Sequence, residues 1–332
     1  MKIIIITEAN DKVASGHLME SVVCNEEFKA AGFRTELWIN SDMQPAFKER
    51  INDYYREYGV SLKENKEHII NEIVRLSPDV VLFDVRKIEN DFLSELGCRR
   101  NQKTKIVCID EWGHRRLDCD MIINPMVDPY YFSYPGSEAK ILAGPEYLVL
   151  FPEIIRYHKM KKEIRNDIER ILITFGGTDP YGHTYTVLDY IRKFFTQKRV
   201  DVVIGGGFED FERIKNMTDG YDNINVFRNI TFMYDLIYSA DLVFCAGGNT
   251  LHECACIGSP ALIMPSALHE VRNAKEFERR GFGYYIKNDS DIEYSLGRIR
   301  PVDVRLKMSQ CGKNINDGNG YKRIVQNVIE LI

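Results

Sequence analysis

The sequence predicts an α/β protein built from two doubly wound parallel-sheet domains, residues 1–160 and 161–332. Three observations predict it. Short apolar runs rich in Ile, Val and Leu recur without polar alternation, as strands do when helices cover both faces of their sheet. Longer amphipathic stretches separate those runs, which gives a βαβ succession. The length of 332 residues, with 44% hydrophobic and 28% charged, exceeds one ordinary domain and carries enough apolar mass for two cores.

Lys2–Thr7 opens the first sheet with an unbroken run of isoleucines, and the glycine at Gly16 starts the helical stretch Gly16–Ala31. Thr35–Ile39 is the next strand. His68–Leu76 is a helix leading into the strand Val80–Asp84, and Glu89–Arg99 leads into Lys105–Ile109, with Met121–Ile123 closing the half. Asp128–Lys162 carries Pro129, Pro135, Pro145 and Pro152 and ends in the charged run Lys159–Lys162, so the domain junction is placed near residue 160. The pattern then restarts with the strands Arg170–Phe175, Val200–Ile204, Ile224–Phe227, Leu242–Cys245 and Ala261–Met264. Helices are expected at Tyr185–Thr196, Glu209–Met217, Thr231–Tyr238, Leu251–Ile257 and Glu270–Arg280. Two such Rossmann-like domains are expected to face each other across a cleft, with ligands held at the carboxyl ends of the strands.

Composition narrows the function. The net charge is −5, from 44 basic and 49 acidic residues, so a nucleic-acid partner is not expected. A small anion remains compatible, since a few local donors can hold one. The eight cysteines are scattered without a CxxC pair and read as buried free thiols of a reducing compartment. Cys254 and Cys256 diverge on a helix and have no matching Cys/His pair, so no structural zinc is expected. No segment is apolar for long enough to be a signal peptide or a membrane span, and a soluble cytoplasmic protein is expected.

Three clusters carry chemistry. Gly16 and His17 follow the first strand, placing an imidazole at a helix N-terminus and at the carboxyl edge of the sheet. The helix dipole there favours the neutral ring, which can take a proton from water. A helix-capping histidine without a chemical role is the alternative. Gly176, Gly177, Thr178 and Asp179 run from a strand toward a helix, a phosphate-cradle arrangement in which glycines expose backbone N–H groups; a simple turn is the alternative. Gly247, Gly248, Asn249 and Thr250 repeat the device before a helix carrying His252 and Glu253. Glu253 could accept two hydrogen bonds from a ribose diol, or merely complement the dipole. His269, Glu270 and Asn273, after the strand Ala261–Met264, rim the same site. Two phosphate-type loops in one half and one histidine in the other describe a nucleotide-bearing substrate.

With these residues in order, the sequence resembles the glycosyltransferase-B proteins, the family that includes the lipid II-forming N-acetylglucosaminyltransferase. More closely it is similar to the nucleotide-sugar hydrolases of the pseudaminic-acid pathway and the related spore-coat polysaccharide proteins. The resemblance covers most of residues 1–286 and rests on Ser15-Gly16-His17, Phe83-Asp84, Ile109-Asp110-Glu111 and Cys119–Asn124. It continues through Gly144-Pro145-Glu146-Tyr147 with Leu150 and Pro152-Glu153, then Gly176–Asp179, Glu253 and Gly258. The tail Asp317–Gly320 with Arg323-Ile324 also matches, and the last helix is a candidate to pack back on the first domain.

The resemblance implies a GT-B fold and metal-independent, cofactor-free hydrolysis of a UDP-linked 2,4-diacetamido-2,4,6-trideoxy-hexose in surface-polysaccharide synthesis. His17 would activate the water that inverts the anomeric carbon, and Glu253 would hold the ribose. The family's Gly-x-Gly-His-x-x-x-Arg stretch is altered here: Ala14 replaces its first glycine, and Leu18-Met19-Glu20-Ser21 lacks the arginine. His252 and His269-Glu270 also depart from the family's asparagine and Asn-Gln. A glycosyltransferase using the same donor, or a nucleotide-sugar binding protein, are the alternatives.

Overall fold

The computed structural model describes residues 1–9, 16–43, 48, 49, 51, 54–208, 210–228, 230 and 233–332. The chain divides into two compact units. Unit 1 is Met1–Pro152 together with Gly318–Ile332, and unit 2 is Glu153–Asp317.

Unit 1 is built on a seven-stranded sheet in the order β3-β2-β1-β4-β5-β6-β7. Its strands are β1 (Lys2–Thr7), β2 (Arg34–Ile39), β3 (Tyr55–Glu57), β4 (Val80–Asp84), β5 (Lys105–Ile109), β6 (Met121–Asn124) and β7 (Lys140–Ala143). Every pairing is parallel. Ile3 to Ile6 and Val80 to Phe83 are fully buried, as expected of central strands covered on both faces. Among the described residues the main helices of this unit are α1 (Gly16–Ala30), α2 (Lys66–Leu76), α3 (Asn90–Arg99) and, after unit 2, α12 (Gly320–Leu331). On one face Ile69, Ile70 and Ile73 of α2 and Phe92, Leu93 and Leu96 of α3 share a core with Ile4, Ile6, Val81 and Phe83.

Unit 2 has a six-stranded, all-parallel sheet in the order β10-β9-β8-β11-β12-β13. Its strands are β8 (Arg170–Thr174), β9 (Arg199–Ile204), β10 (Ile224–Arg228), β11 (Leu242–Cys245), β12 (Ala261–Ile263) and β13 (Tyr284–Tyr285). Its helices are α4 (Ile154–Lys159), α5 (His183–Phe194), α6 (Phe211–Thr218), α7 (Tyr234–Ser239), α8 (Asn249–Ile257), α9 (Leu268–Arg279), α10 (Ile292–Ile299) and α11 (Val302–Ile315).

The first division falls at Pro152–Glu153, ahead of the residue 160 read from the sequence, because α4 packs on α7 and α8 of unit 2. The chain returns to unit 1 at Gly318. There α12 packs on α1 and on the short 3-10 turn Pro145–Tyr147, so closely that a Cβ on Gly320 would collide with the Leu148 carbonyl. The cysteines are all free, but Cys98 is exposed and Cys119 and Cys311 are half-buried, which corrects the expectation of uniform burial. Among the described residues no helix is long and apolar enough to cross a membrane.

Each sheet is doubly wound, and each has one place where the strand order reverses: between β1 and β4 in unit 1, and between β8 and β11 in unit 2. Ligands of open α/β sheets bind at the carboxyl ends of the strands flanking such a reversal, where the two flanking loops splay apart.

Candidate functional site

The reversal in unit 1 carries an imidazole–carboxylate pair. α1 begins at Gly16, so His17 lies in its first turn, beyond the end of β1. Thr7 and Asp84 are register partners, which puts the last residue of β4 beside the last residue of β1 and directly below that turn. His17 Nδ1 lies 2.8 Å from Asp84 Oδ1, and the Ser21 hydroxyl, one helical turn further on, donates to Asp84 Oδ2 at 2.8 Å. Asp84 is completely buried, whereas the His17 side chain keeps 14% of its surface exposed. The carboxylate therefore orients the ring through Nδ1 and leaves Nε2 as the atom free for chemistry.

The electrostatics of the pair correct one expectation. Burial lowers the His17 pKa, but the hydrogen bond to Asp84 raises it, and so do the charges of Asp84, Glu20 and Glu111. The balance pushes it up to about 10. The helix dipole was expected to favour the neutral ring; adjacent carboxylates are stronger than a half-charge at the helix end, so the imidazolium is favoured. Burial raises the pKa of Glu8, which accepts from the Arg86 N–H at 2.7 Å. Among the described residues, His17, Glu20 and Asp84 bring potential metal-ligand atoms within 4.8 Å of one another. The Asp84 oxygens are already engaged by His17 and Ser21, so as it stands the group is a hydrogen-bonded dyad. Ala14 and Ser15 of the altered motif lie outside the described residues.

The reversal in unit 2 brings the two glycine loops together, since β8 and β11 are neighbours paired from Leu242↔Ile171 to Cys245↔Thr174. Gly176, Gly177 and Thr178 are exposed beyond β8. Asp179 is not. Its carboxylate accepts from the N–H groups of His183 at 3.0 Å and Thr184 at 2.8 Å, so it fills the N-terminus of α5 that was read as an anion cradle. Asp179 also holds a left-handed backbone, φ 44°. Asp179→Ala is expected to lose the cap and worsen the backbone strain, lowering stability by about 2 kcal/mol; urea unfolding beside Asp179→Asn, which tolerates the left-handed region, checks it.

Beyond β11, Gly248 precedes α8 and no side chain caps that helix, so the N-terminal amides around Asn249 and Thr250 keep their donor character. Glu270 and Asn273 reach this loop from α9 and brace it. Glu270 Oε2 accepts from the N–H of Gly247 at 3.1 Å and of Ser266 at 2.7 Å, and Asn273 Nδ2 donates to the Gly247 carbonyl at 3.2 Å. His269 lies on α9, with its side chain outside the described residues.

His252 is not brought to this loop. It is 3% exposed, its ring packs edge-on against Phe277 with centroids 4.9 Å apart, and burial lowers its pKa to about 3. The ring is a neutral core residue, because its position on α8 falls on the inward face beside Leu251 and Ala255. Glu253, the next residue, is half-buried. Burial raises its carboxyl to about 7, partly offset by the Tyr234 hydroxyl beside it.

Several participants were not assigned from sequence. Asp84 had a readable signal, a lone charge ending the apolar run Val80–Phe83. So did Gly205-Gly206-Gly207 after β9: a Cβ on Gly205 would collide with the Gly177 backbone, and the Gly207 N–H donates to the Gly177 carbonyl at 3.1 Å. Glu20, Ser21 and Tyr234 had none, since only the packing of helices on the sheet edge brings them in.

Comparison with known proteins agrees with this architecture. Residues 171–297 match the glycosyltransferase family 28 C-terminal domain. The spore coat polysaccharide biosynthesis protein SpsG of Bacillus subtilis is 26% identical, over 79% of this chain and 79% of its own. The crystal structure of Acinetobacter baumannii MurG superposes with a TM-score of 0.71 at 12% identity, covering 99% of this chain and 100% of that one. The UDP-GlcNAc 2-epimerase of Neisseria meningitidis, solved bound to UDP-GlcNAc, superposes at 0.61 with 15% identity, covering 99% and 100%. The chain has the GT-B fold, and the matched domain and relatives support its place in a GT-B glycosyltransferase-like family.

Proposed function

We propose that the protein hydrolyses a UDP-linked deoxy-aminosugar of the 2,4-diacetamido-2,4,6-trideoxy type in polysaccharide biosynthesis. The observation that carries this reading is the His17–Asp84 dyad at a sheet reversal, with Nδ1 engaged and Nε2 left for a reactant. The polysaccharide role of the Bacillus relative and the family 28 match over the glycine loops support it. His17 Nε2, once deprotonated, takes a proton from water, whose oxygen bonds to the anomeric carbon as the bond to the diphosphate oxygen breaks. Asp84 keeps the ring oriented and stabilises the imidazolium that forms. In unit 2 the amides at the start of α8 and around Gly176–Thr178 take the leaving diphosphate's charge, and Glu253 accepts from the ribose hydroxyls.

Incubation with a UDP-sugar in water, followed by chromatography for UDP and free sugar, tests the reading. UDP and reducing sugar released together without an acceptor support it, and release only with an acceptor sinks it in favour of transfer. Transfer is favoured by one feature of unit 1. Trp112, Tyr130 and Tyr131 are 52%, 93% and 43% exposed, an aromatic surface that the mixed Ser41–Arg56 stretch did not foretell and that an acceptor could use.

The Glu253 assignment has its own pH signature. With its carboxyl near 7, raising the pH from 6 to 8 takes it from about one-tenth to about nine-tenths ionised. Binding of uridine, which lacks a phosphate that titrates in this range, is expected to tighten by up to about tenfold over that interval. Calorimetric titration checks it, and Glu253→Gln should abolish the dependence.

A further inference from the structure

A cavity of about 760 Å³ lies in unit 2 on the flank of β8 facing away from β11, between the stretch 178–186 and the stretch 207–213. It adjoins the β8 glycine loop, but it is set off from the reversal point where the proposed nucleotide loops meet. Its wall carries the hydroxyls and rings of Thr178, Tyr181, Tyr185 and Thr186 with Phe208 and Arg213, and also Asp179 and Asp210, whose carboxylates already accept from the backbone N–H groups of α5 and α6.

Two features suit it to a ligand. The Arg213 guanidinium stacks 3.9 Å from the Tyr185 ring centre, and Tyr185 in turn lies against Phe208 with centroids 5.6 Å apart. Among the described residues no carboxylate pairs with this guanidinium; the nearby Asp210 carboxylate accepts from the Arg213 backbone N–H instead, at 3.1 Å. The stack fixes the fork's plane while its donors stay unspent, the condition for binding two oxygens of a carboxylate or a phosphate bidentately. Tyr181 is 62% exposed, with its ring set edge-to-face with His183 at a centroid distance of 5.8 Å. Left-handed backbone at Gly176, Asp179 and Gly182 (φ 78°, 44° and 68°) gives the enclosing loop a defined shape.

We infer that this cavity is a subsite for an anionic carbohydrate, a hydroxylated ring carrying a carboxylate or a phosphate. The anion pairs with Arg213, the ring's C–H face lies on Tyr181, and the hydroxyls of Thr178 and Thr186 meet those of the sugar. Such a subsite serves a sugar that is not the nucleotide-linked one. It shares Thr178 with the loop proposed to hold the diphosphate, but none of His17, Asp84 and Glu253 lines it, so it does not depend on the hydrolytic reading.

Titration of the full chain with glucuronate, glucose 6-phosphate and glucose, followed by NMR or calorimetry, tests the inference. At least one of the two anions is expected to bind about tenfold or more tighter than glucose, and which one does so names the anion. Arg213→Ala should reduce it to the level of glucose, and Tyr181→Ala should weaken all three sugars. Both positions are exposed, so each variant is expected to fold, which its thermal transition confirms. Saturating uridine, which lacks the diphosphate that the Thr178 loop would hold, should leave the anion's affinity unchanged. Equal affinity for glucose and both anions, no binding of any, indifference to Arg213→Ala, or displacement by uridine would each overturn the subsite.

Discussion

His17→Ala is expected to lower turnover of the UDP-sugar about 10²–10⁴-fold while leaving UDP affinity within about a factor of two, because a general base acts on the transition state more than on the ground state. Steady-state rates and calorimetry with UDP separate the two. The pH profile of the unmodified protein adds a second signature. The His17 pKa is pushed up to about 10, so at neutral pH most molecules carry the imidazolium and the competent base is a minor fraction. The rate is therefore expected to climb with pH through neutrality and level off only as the pH approaches that value. A rate that falls over the same range would instead assign His17 to proton donation. The same shift bears on stability with a definite sign. A histidine raised above its ordinary value of about 6.5 contributes stability that is fully present below that value and is lost as the pH rises toward 10.

Asp84→Asn is expected to cost about as much as the loss of the histidine, again about 10²–10⁴ in turnover, through a different route. The amide can still meet the imidazole, but it removes the buried charge that raises the ring's pKa and can present an N–H where the ring needs an acceptor. Two changes should appear together. The maximal rate falls, because the imidazolium formed in the transition state loses its counter-charge. The alkaline levelling moves to lower pH, because the His17 pKa drops back toward its ordinary value. A merely structural Asp84 would lower stability without moving the profile, so the shift in the pH limb decides the role. Ser21→Ala removes only the second contact on the same carboxylate and should show a small effect in the same direction.

The architecture was legible because it follows from patterns the chain cannot avoid. Central strands such as Lys2–Thr7 and Val80–Asp84 must be uninterrupted apolar runs, so their boundaries come through almost unchanged. Of the edge strands, β10 came through as Ile224–Phe227, whereas β3, β7 and β13 did not. β7 has Lys140 and Ile141 exposed and β13 is two residues long, so neither carries a buried run. The candidate site was legible at its glycines and at His17, where backbone geometry or a lone imidazole marks the sequence. Its polarity was less so. Whether Asp179 awaits an anion or satisfies its own helix depends on where the next helix begins, and α5 starts at His183 rather than Tyr185. Likewise His252 and Glu253 are adjacent in sequence, yet the turn of α8 buries the first and leaves the second half-buried.

The return of the chain to its first unit at Gly318 has a consequence for biosynthesis. As the polypeptide leaves the ribosome, unit 2 has all of its residues once Asp317 has emerged, whereas unit 1 waits for Gly318–Ile332 to supply the helix that covers α1. The amino-terminal body, synthesised first, is the one finished last. A premature stop before Gly320 would harm that body although its sheet is intact.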